Sequence, residues 1–283
     1  MKVIIVPTDF SDNAANAVKY AIQLSKMHYY KLVFVHVYSL PFLNPEAGMV
    51  YDASFSEAMK IQSDKALREH IDKVFESLGM HRNLLLSELE TVEAISLSGG
   101  IEKINHKYHG DWIVMGTHGA SGLKKFFLGS NAVDVIENVN IPVLSVPSNL
   151  EFKQIKNVSY ASDYNDIDGE LKLVIDFAKS FNAQVDVIHI ATDNNLNNNL
   201  EVDQLIKKWQ SVNQYQKINL HVMQNADKTN VDETLKTLMS QIDIDLLIVF
   251  HQHRNFWKTI FEKSVTTELV YDWSSPILTM YKK

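Results

Sequence analysis

Short, uniformly apolar runs alternate along this chain with longer stretches whose apolar positions recur every three or four residues. Val3-Ile-Ile-Val6 is a β-branched apolar run, the pattern of a strand buried on both faces in a parallel sheet. Pro7-Thr-Asp-Phe-Ser11 breaks it. Ser11 then suits the N-cap of a helix from Asp12 to about Met27, with Ala14, Ala17, Val18, Ala21, Ile22 and Leu24 near helical spacing. Leu32 to Val37 is the second strand, completing a β-α-β unit whose crossover should be right-handed. Ser39 to Ser56, with Pro41 and Pro45, is irregular, and Glu57 to about Leu78 is a long amphipathic helix. A third strand is predicted over Leu84 to Leu89, and a helix within Glu93 to His109 that starts after Gly99-Gly100. Asp111–Met115 and Pro142–Val146 supply the fourth and fifth strands. Strands and helices alternating in this way imply an open α/β layer fold.

The pattern then repeats. Asp245-Leu-Leu-Ile-Val249 echoes Asp111-Trp-Ile-Val-Met115, and Pro276-Ile-Leu-Thr-Met280 echoes Pro142-Val-Leu-Ser-Val146. Both pairs lie 134 residues apart, from Asp111 to Asp245 and from Pro142 to Pro276. Ala161-Ser-Asp163 echoes Pro7-Thr-Asp9, and Val185 to Ile190 echoes Leu32 to Val37. The chain therefore reads as two copies of one β/α domain, 1–148 and 151–283, joined near Ser148-Asn-Leu150. Asn194 to Asn199 reads as an exposed polar loop without chemistry.

Composition narrows the partners. A formal net charge of −7 argues against general binding to nucleic acid or an anionic membrane. Cysteine is absent, so disulfide and thiolate chemistry are excluded. The N-terminal apolar run is too short for a signal-peptide core, and no run approaches the ~20 apolar residues of a membrane span. A cytoplasmic protein is expected.

The candidate chemistry lies between the fourth strand and the helix expected over Asn131 to Glu137. Gly116, Gly119 and Gly129-Ser130 punctuate that connection. Glycines let backbone amides approach an anion closely, and the amides of a helix N-terminus favour phosphate. The same glycines would also serve a plain loop of tight turns, and Ser130 a plain N-cap. The loop is not a P-loop, because no Gly-Lys-Ser/Thr follows, nor a Gly-x-Gly-x-x-Gly dinucleotide fingerprint. Ser98-Gly-Gly100 sits before a helix and not after the first strand, and no His-Ile-Gly-His is present.

The spacing resembles the universal stress protein signature, G-x2-G-x9-G-(S/T), at each fixed position. The resemblance covers nearly the whole chain, as a tandem two-domain member. It implies two open, mainly parallel five-stranded α/β sheets flanked by helices, of the adenine nucleotide alpha hydrolase-like kind. It also implies that Pro142–Val146 and Pro276–Met280 pair inside one chain as a pseudo-dimer, with room for a homodimer beyond it. ATP is the implied ligand. Pro7, Thr8, Asp9 and Val37 would hold adenine and ribose, with Met115 lining the pocket. Gly116, Gly119, Gly129, Ser130 and Asn131 would bind phosphates, and any Mg²⁺ or Mn²⁺ would be carried by those phosphates. Asp9 could instead be a turn residue bonding its own backbone. His118, Lys124 and Lys125 read first as solvated loop residues, and His36 and His189 as satisfied core histidines.

The second copy departs from the signature. Counting by 134, Gly116 becomes Phe250, Gly119 becomes His253 and Gly129 becomes Lys263; only Ser264 stands opposite Ser130. Bulky residues there should fill the phosphate space, so nucleotide is expected in the first lobe only, although Asp163 remains. His251, His253 and Arg254 lack a third ligand for zinc. The reading is a nucleotide-binding regulatory protein of the stress response and not an enzyme, with at most slow ATP hydrolysis: no base is placed to activate water and no nucleophile has an evident partner. The alternative is a nucleotide-free interaction module on the same scaffold.

Overall fold

The computed structural model describes residues 1–40, 53–117, 129–162, 166–191, 199–224, 242–251 and 275–282. The chain divides into two compact units, Met1–Phe152 and Lys153–Lys283.

The first unit runs β1 (Val3–Pro7), α1 (Asp12–His28), β2 (Lys31–Tyr38), α2 (Ala53–Ser77), β3 (Ser87–Glu93), α3 (Leu97–Tyr108), β4 (Trp112–Gly116), α4 (Ser130–Asn138) and β5 (Val143–Val146). Its strands lie in the order β3-β2-β1-β4-β5, and every pair is parallel. β1 is central, with Ile4, Ile5 and Val6 fully buried, as expected where helices cover both faces. On one face Ile5, Val33, Ile113 and Val143 pack with Ile101 and Ile104 of α3 and Val135 of α4. Elsewhere in the core, Phe34 of β2 meets Phe75 of α2 edge to face at 6.1 Å. Ser11 accepts a hydrogen bond from the Ala14 amide at 3.2 Å and so starts α1; Tyr29, in the left-handed region at φ 56°, ends it.

Three expectations are corrected: α2 begins at Ala53 rather than Glu57, and β3 and α3 also start elsewhere. β3 begins at Ser87 rather than Leu84, paired with β2 from Leu32↔Ser87 to Tyr38↔Glu93. Only Leu84 of the leucine run before it enters a 3-10 turn, Arg82–Leu84, where Arg82 donates to Asp72 at 3.0 Å. Leu84 and Leu86 are consequently exposed. Helix α3 starts before its glycines and not after them. Ser96 caps it by accepting the Gly99 amide at 3.1 Å. Gly100 serves packing: a Cβ there would lie 2.5 Å from Cγ2 of Val37, so only glycine lets α3 approach β2 this closely.

The second unit runs β6 (Asn157–Ser162), α5 (Ile167–Lys179), β7 (Gln184–Ala191), α6 (Asn199–Asn213), β8 (Ile218–Gln224), β9 (Leu246–Phe250) and β10 (Ile277–Met280). Its strand order, β10-β9-β6-β7-β8, again all parallel, repeats that of β5-β4-β1-β2-β3. Details repeat as well. A histidine in the second strand of each unit bonds the carbonyl that follows or ends the first strand: His36 Nδ1 to Thr8 O at 3.0 Å and His189 Nδ1 to Ser162 O at 3.1 Å. In the first helix of each unit a polar side chain ties down the chain beyond the last strand. In the first unit it is Asn16, donating to the carbonyls of Pro147 (2.8 Å) and Leu150 (3.1 Å). In the second it is Glu170, fully buried, which pairs with Lys282 at 2.8 Å and accepts from the Tyr160 hydroxyl.

Candidate functional site

The chain builds β1, β2 and β3 outward on one side and then returns to place β4 on the other side of β1. The crevice beyond the carboxyl ends of β1 and β4 is thus the topological switch point, where open α/β sheets place ligands. A cavity of about 210 Å³ lies there. Pro7, Thr8 and Asp9 line it from the end of β1 and the turn to α1, and Val37 and Ser39 from the end of β2. Met115 and Gly116 close it from β4, and Asn131 and Ala132 from the first turn of α4. Seven of the residues predicted for the site, Pro7, Thr8, Asp9, Val37, Met115, Gly116 and Asn131, therefore share one cavity.

Gly129 and Ser130 stand beside it. Gly129 is the N-cap of α4 with φ −61° and ψ 160°, a conformation open to any residue, so positive φ does not explain this glycine. Its amide donates to Thr117 O at 2.6 Å. Ser130 opens the helix and is exposed. Gly119, His118, Lys124 and Lys125 lie outside the described residues.

Two helix N-termini point toward this region and differ in charge. At α3, Asp134 of α4 accepts from the Ser98 amide and the Ser98 hydroxyl, both at 3.0 Å, and Ser96 takes the Gly99 amide. A carboxylate thus offsets the positive end of α3. At α4 the amides of Ser130, Asn131 and Ala132 have no intrahelical acceptor, and the first turn carries no acidic residue.

Asp9 fulfils the turn role: its Oδ1 accepts from the Ser11 amide at 3.1 Å and the Ser11 hydroxyl at 2.5 Å. It lines the cavity at the same time. Three features were not foreseen. The segment after β3, Ala94-Ile-Ser-Leu97, forms a further wall; the Ser96 cap before a helix was its only sequence signal. Phe10 and His70 sit behind Thr8. The Phe10 ring lies 4.2 Å from that of His36 and 5.3 Å from that of His70. Burial lowers the His70 pKa, opposed by Asp9 and helped by Lys73 and His36. Nothing in the sequence joins His70 to Thr8, which are brought together only by α2 packing on the sheet.

In the second unit Phe250 ends β9 where the 134-residue offset places Gly116. It is 1% exposed and packs edge to face on Tyr160 at 5.7 Å. His251 follows, 5.3 Å from the Tyr281 ring. His253, Arg254, Lys263, Ser264 and Asp163 lie outside the described residues.

The model of the universal stress protein family matches residues 1–147. The chain belongs to the universal stress protein family. Similar relatives include a universal stress protein of Methanocaldococcus jannaschii, 34% identical over 148 residues, which are 51% of this chain and 81% of that protein. Another, from Thermus aquaticus, is 29% identical over 145 residues, 51% of this chain and 98% of its own. A solved universal stress protein from Archaeoglobus fulgidus covers 99% of this chain and 98% of its own, with a TM-score of 0.70 at 15% identity. That likeness is one of fold, and it extends over both units of this universal stress protein. Among the described residues no helix is long and apolar enough to cross a membrane.

Proposed function

We propose that this universal stress protein is a regulatory ATP-binding protein of the cytoplasm, with nucleotide held in the first unit only. The observation that carries the reading is the switch-point cavity, where Pro7, Thr8, Asp9, Val37, Met115, Gly116 and Asn131 converge. Pro7, Val37 and Met115 give it apolar walls suited to a base. Asp9 supplies an acceptor for ribose hydroxyls or a base amine. Phosphates belong at the α4 end, near Gly129 and Ser130, where the amides of the first turn lack intrahelical acceptors. Gly119 would join them, and any Mg²⁺ or Mn²⁺ would ride on the phosphates. The buried Phe250 at the counterpart of Gly116 supports restriction to the first unit. No residue here is assigned a catalytic role.

The test has two parts. Freshly purified protein is denatured and the supernatant assayed for adenine nucleotide. ATP is then titrated into unsubstituted protein, Gly129→Val, and Gly116→Phe, which copies the second unit's residue. Binding by the unsubstituted protein that falls at least tenfold in both folded variants is expected. Absence of binding in all three would overturn the reading in favour of a nucleotide-free interaction module. Multiple-turnover ADP release that follows the protein through purification would make it an ATPase instead.

A further inference from the structure

Thr8 and Asp9 line the cavity, yet the turn that carries them is held from the opposite side of the sheet. We propose that His36 and His70 are positioning residues of the first unit's nucleotide site, an inference that rests on the ATP-binding reading above. Side chains alternate across a strand, so Val37 of β2 faces the cavity while His36 faces away from it, toward Phe10 and α2. Three contacts there converge on one turn. His36 Nδ1 lies 3.0 Å from the Thr8 carbonyl. A carbonyl only accepts, so Nδ1 carries the proton and donates. The Thr8 hydroxyl accepts the Phe10 amide at 3.1 Å and lies 3.4 Å from His70 Nε2. Phe10 holds φ 66°, a left-handed conformation disfavoured for a residue with a Cβ. Its ring contacts both imidazoles.

Strained backbone of this kind persists only where its surroundings over-determine it. Here they fix the carbonyl and hydroxyl of Thr8 and the backbone of Phe10, and between them the direction of Asp9. Neither histidine lines the cavity. The second unit supplies an internal control, because His189 makes the same bond to Ser162 in the half to which no nucleotide is assigned.

ATP is titrated calorimetrically into the full chain and into His36→Leu, His36→Asn, His70→Leu and His189→Leu, each checked for folding by circular dichroism. Loss of one orienting hydrogen bond should raise Kd about tenfold in His36→Leu. Asparagine offers an amide N–H near the position of Nδ1 and should return Kd to within about threefold of the unsubstituted value. His70→Leu should cost about threefold, and His189→Leu should change nothing. Nitrogen-15 NMR of the unsubstituted protein at pH 7.5 should show His36 as the Nδ1–H tautomer, a readout that needs no variant to fold. Unchanged binding in His36→Leu, failure of asparagine to rescue, an equal loss in His189→Leu, or the Nε2–H tautomer would each overturn the inference while leaving ATP binding intact. If the unsubstituted protein bound no ATP, the nucleotide reading itself would fall and this inference with it.

Discussion

Gly100→Ala tests whether the close seat of α3 on β2 shapes the cavity. In an ordinary exposed helix interior this change stabilises by about 0.5–1 kcal/mol, because glycine loses more backbone entropy on folding. Here the added Cβ would sit 2.5 Å from Cγ2 and 2.8 Å from Cγ1 of Val37, and 3.2 Å from Cγ1 of Val92. Contacts below 3 Å require movement, and valine has little room for it because branching restricts χ1. Forcing a methyl group into a packed site of this kind costs about 1–3 kcal/mol. With two contacts below 3 Å the clash should outweigh the propensity gain, leaving a net loss of up to about 2.5 kcal/mol, or a Tm fall of up to roughly 10 °C for a chain of this size. Val37 also lines the cavity, so ATP affinity should fall with stability. The double variant Gly100→Ala/Val37→Ala removes the two clashing methyl groups and should recover much of the lost Tm. Thermal melts followed by circular dichroism, with ATP titrations alongside, measure both. A rise in Tm for Gly100→Ala alone would refute the close-approach argument.

Three further predictions follow from local chemistry. Burial holds the His70 pKa below its ordinary value of about 6.5, so the unfolded chain binds more protons just below that pH and stability should fall as pH drops from 7 toward 5. His28 shifts the same way, through burial and Lys2. Glu90, Asp168 and Asp186, with lowered pKa values, contribute only at more acid pH. Urea midpoints at each pH should show a smaller change for His70→Leu, and an unaltered profile would contradict the assignment. Lys282→Met removes the 2.8 Å ion pair to the buried Glu170 carboxylate and should cost roughly 2 kcal/mol in urea unfolding; a loss under about 0.5 kcal/mol would show that the pair contributes little. Ser96→Ala removes the α3 cap and should cost about 1 kcal/mol, read in the same assay.

The parts of the fold that could be read in advance are those whose signal is local. Val3–Val6 is a strand because a β-branched apolar run has few other uses, and Ser11 is a cap because its hydroxyl reaches an amide three residues on. The 134-residue spacing aligned β4 with β9 and β5 with β10 without any structure. The third strand starts later than expected because Leu84, Leu85 and Leu86 have the hydrophobicity of a strand but not its alternation, and Leu84 ends a 3-10 turn whose first residue, Arg82, bonds Asp72. α3 starts before Gly99-Gly100 because these glycines do not interrupt it; Gly100 marks close approach to Val37, a packing demand with no local signal. The cavity walls from the ends of β1, β2 and β4 were legible through motif and position. The wall after β3 and the support from His70 were not, since both depend on packing between segments far apart in the chain.

Phe250 has a consequence for how the two halves respond to their surroundings. On the proposed reading, a domain that carries its own aromatic ring at the counterpart of Gly116 would have its melting behaviour set by its sequence alone. If the proposed ATP binding holds, its neighbour in the same chain, with glycine there, would leave part of its thermal resistance to the concentration of nucleotide in solution. On that reading one polypeptide would hold a fixed reference beside a variable sensor, with the gap between their unfolding temperatures as the measured quantity.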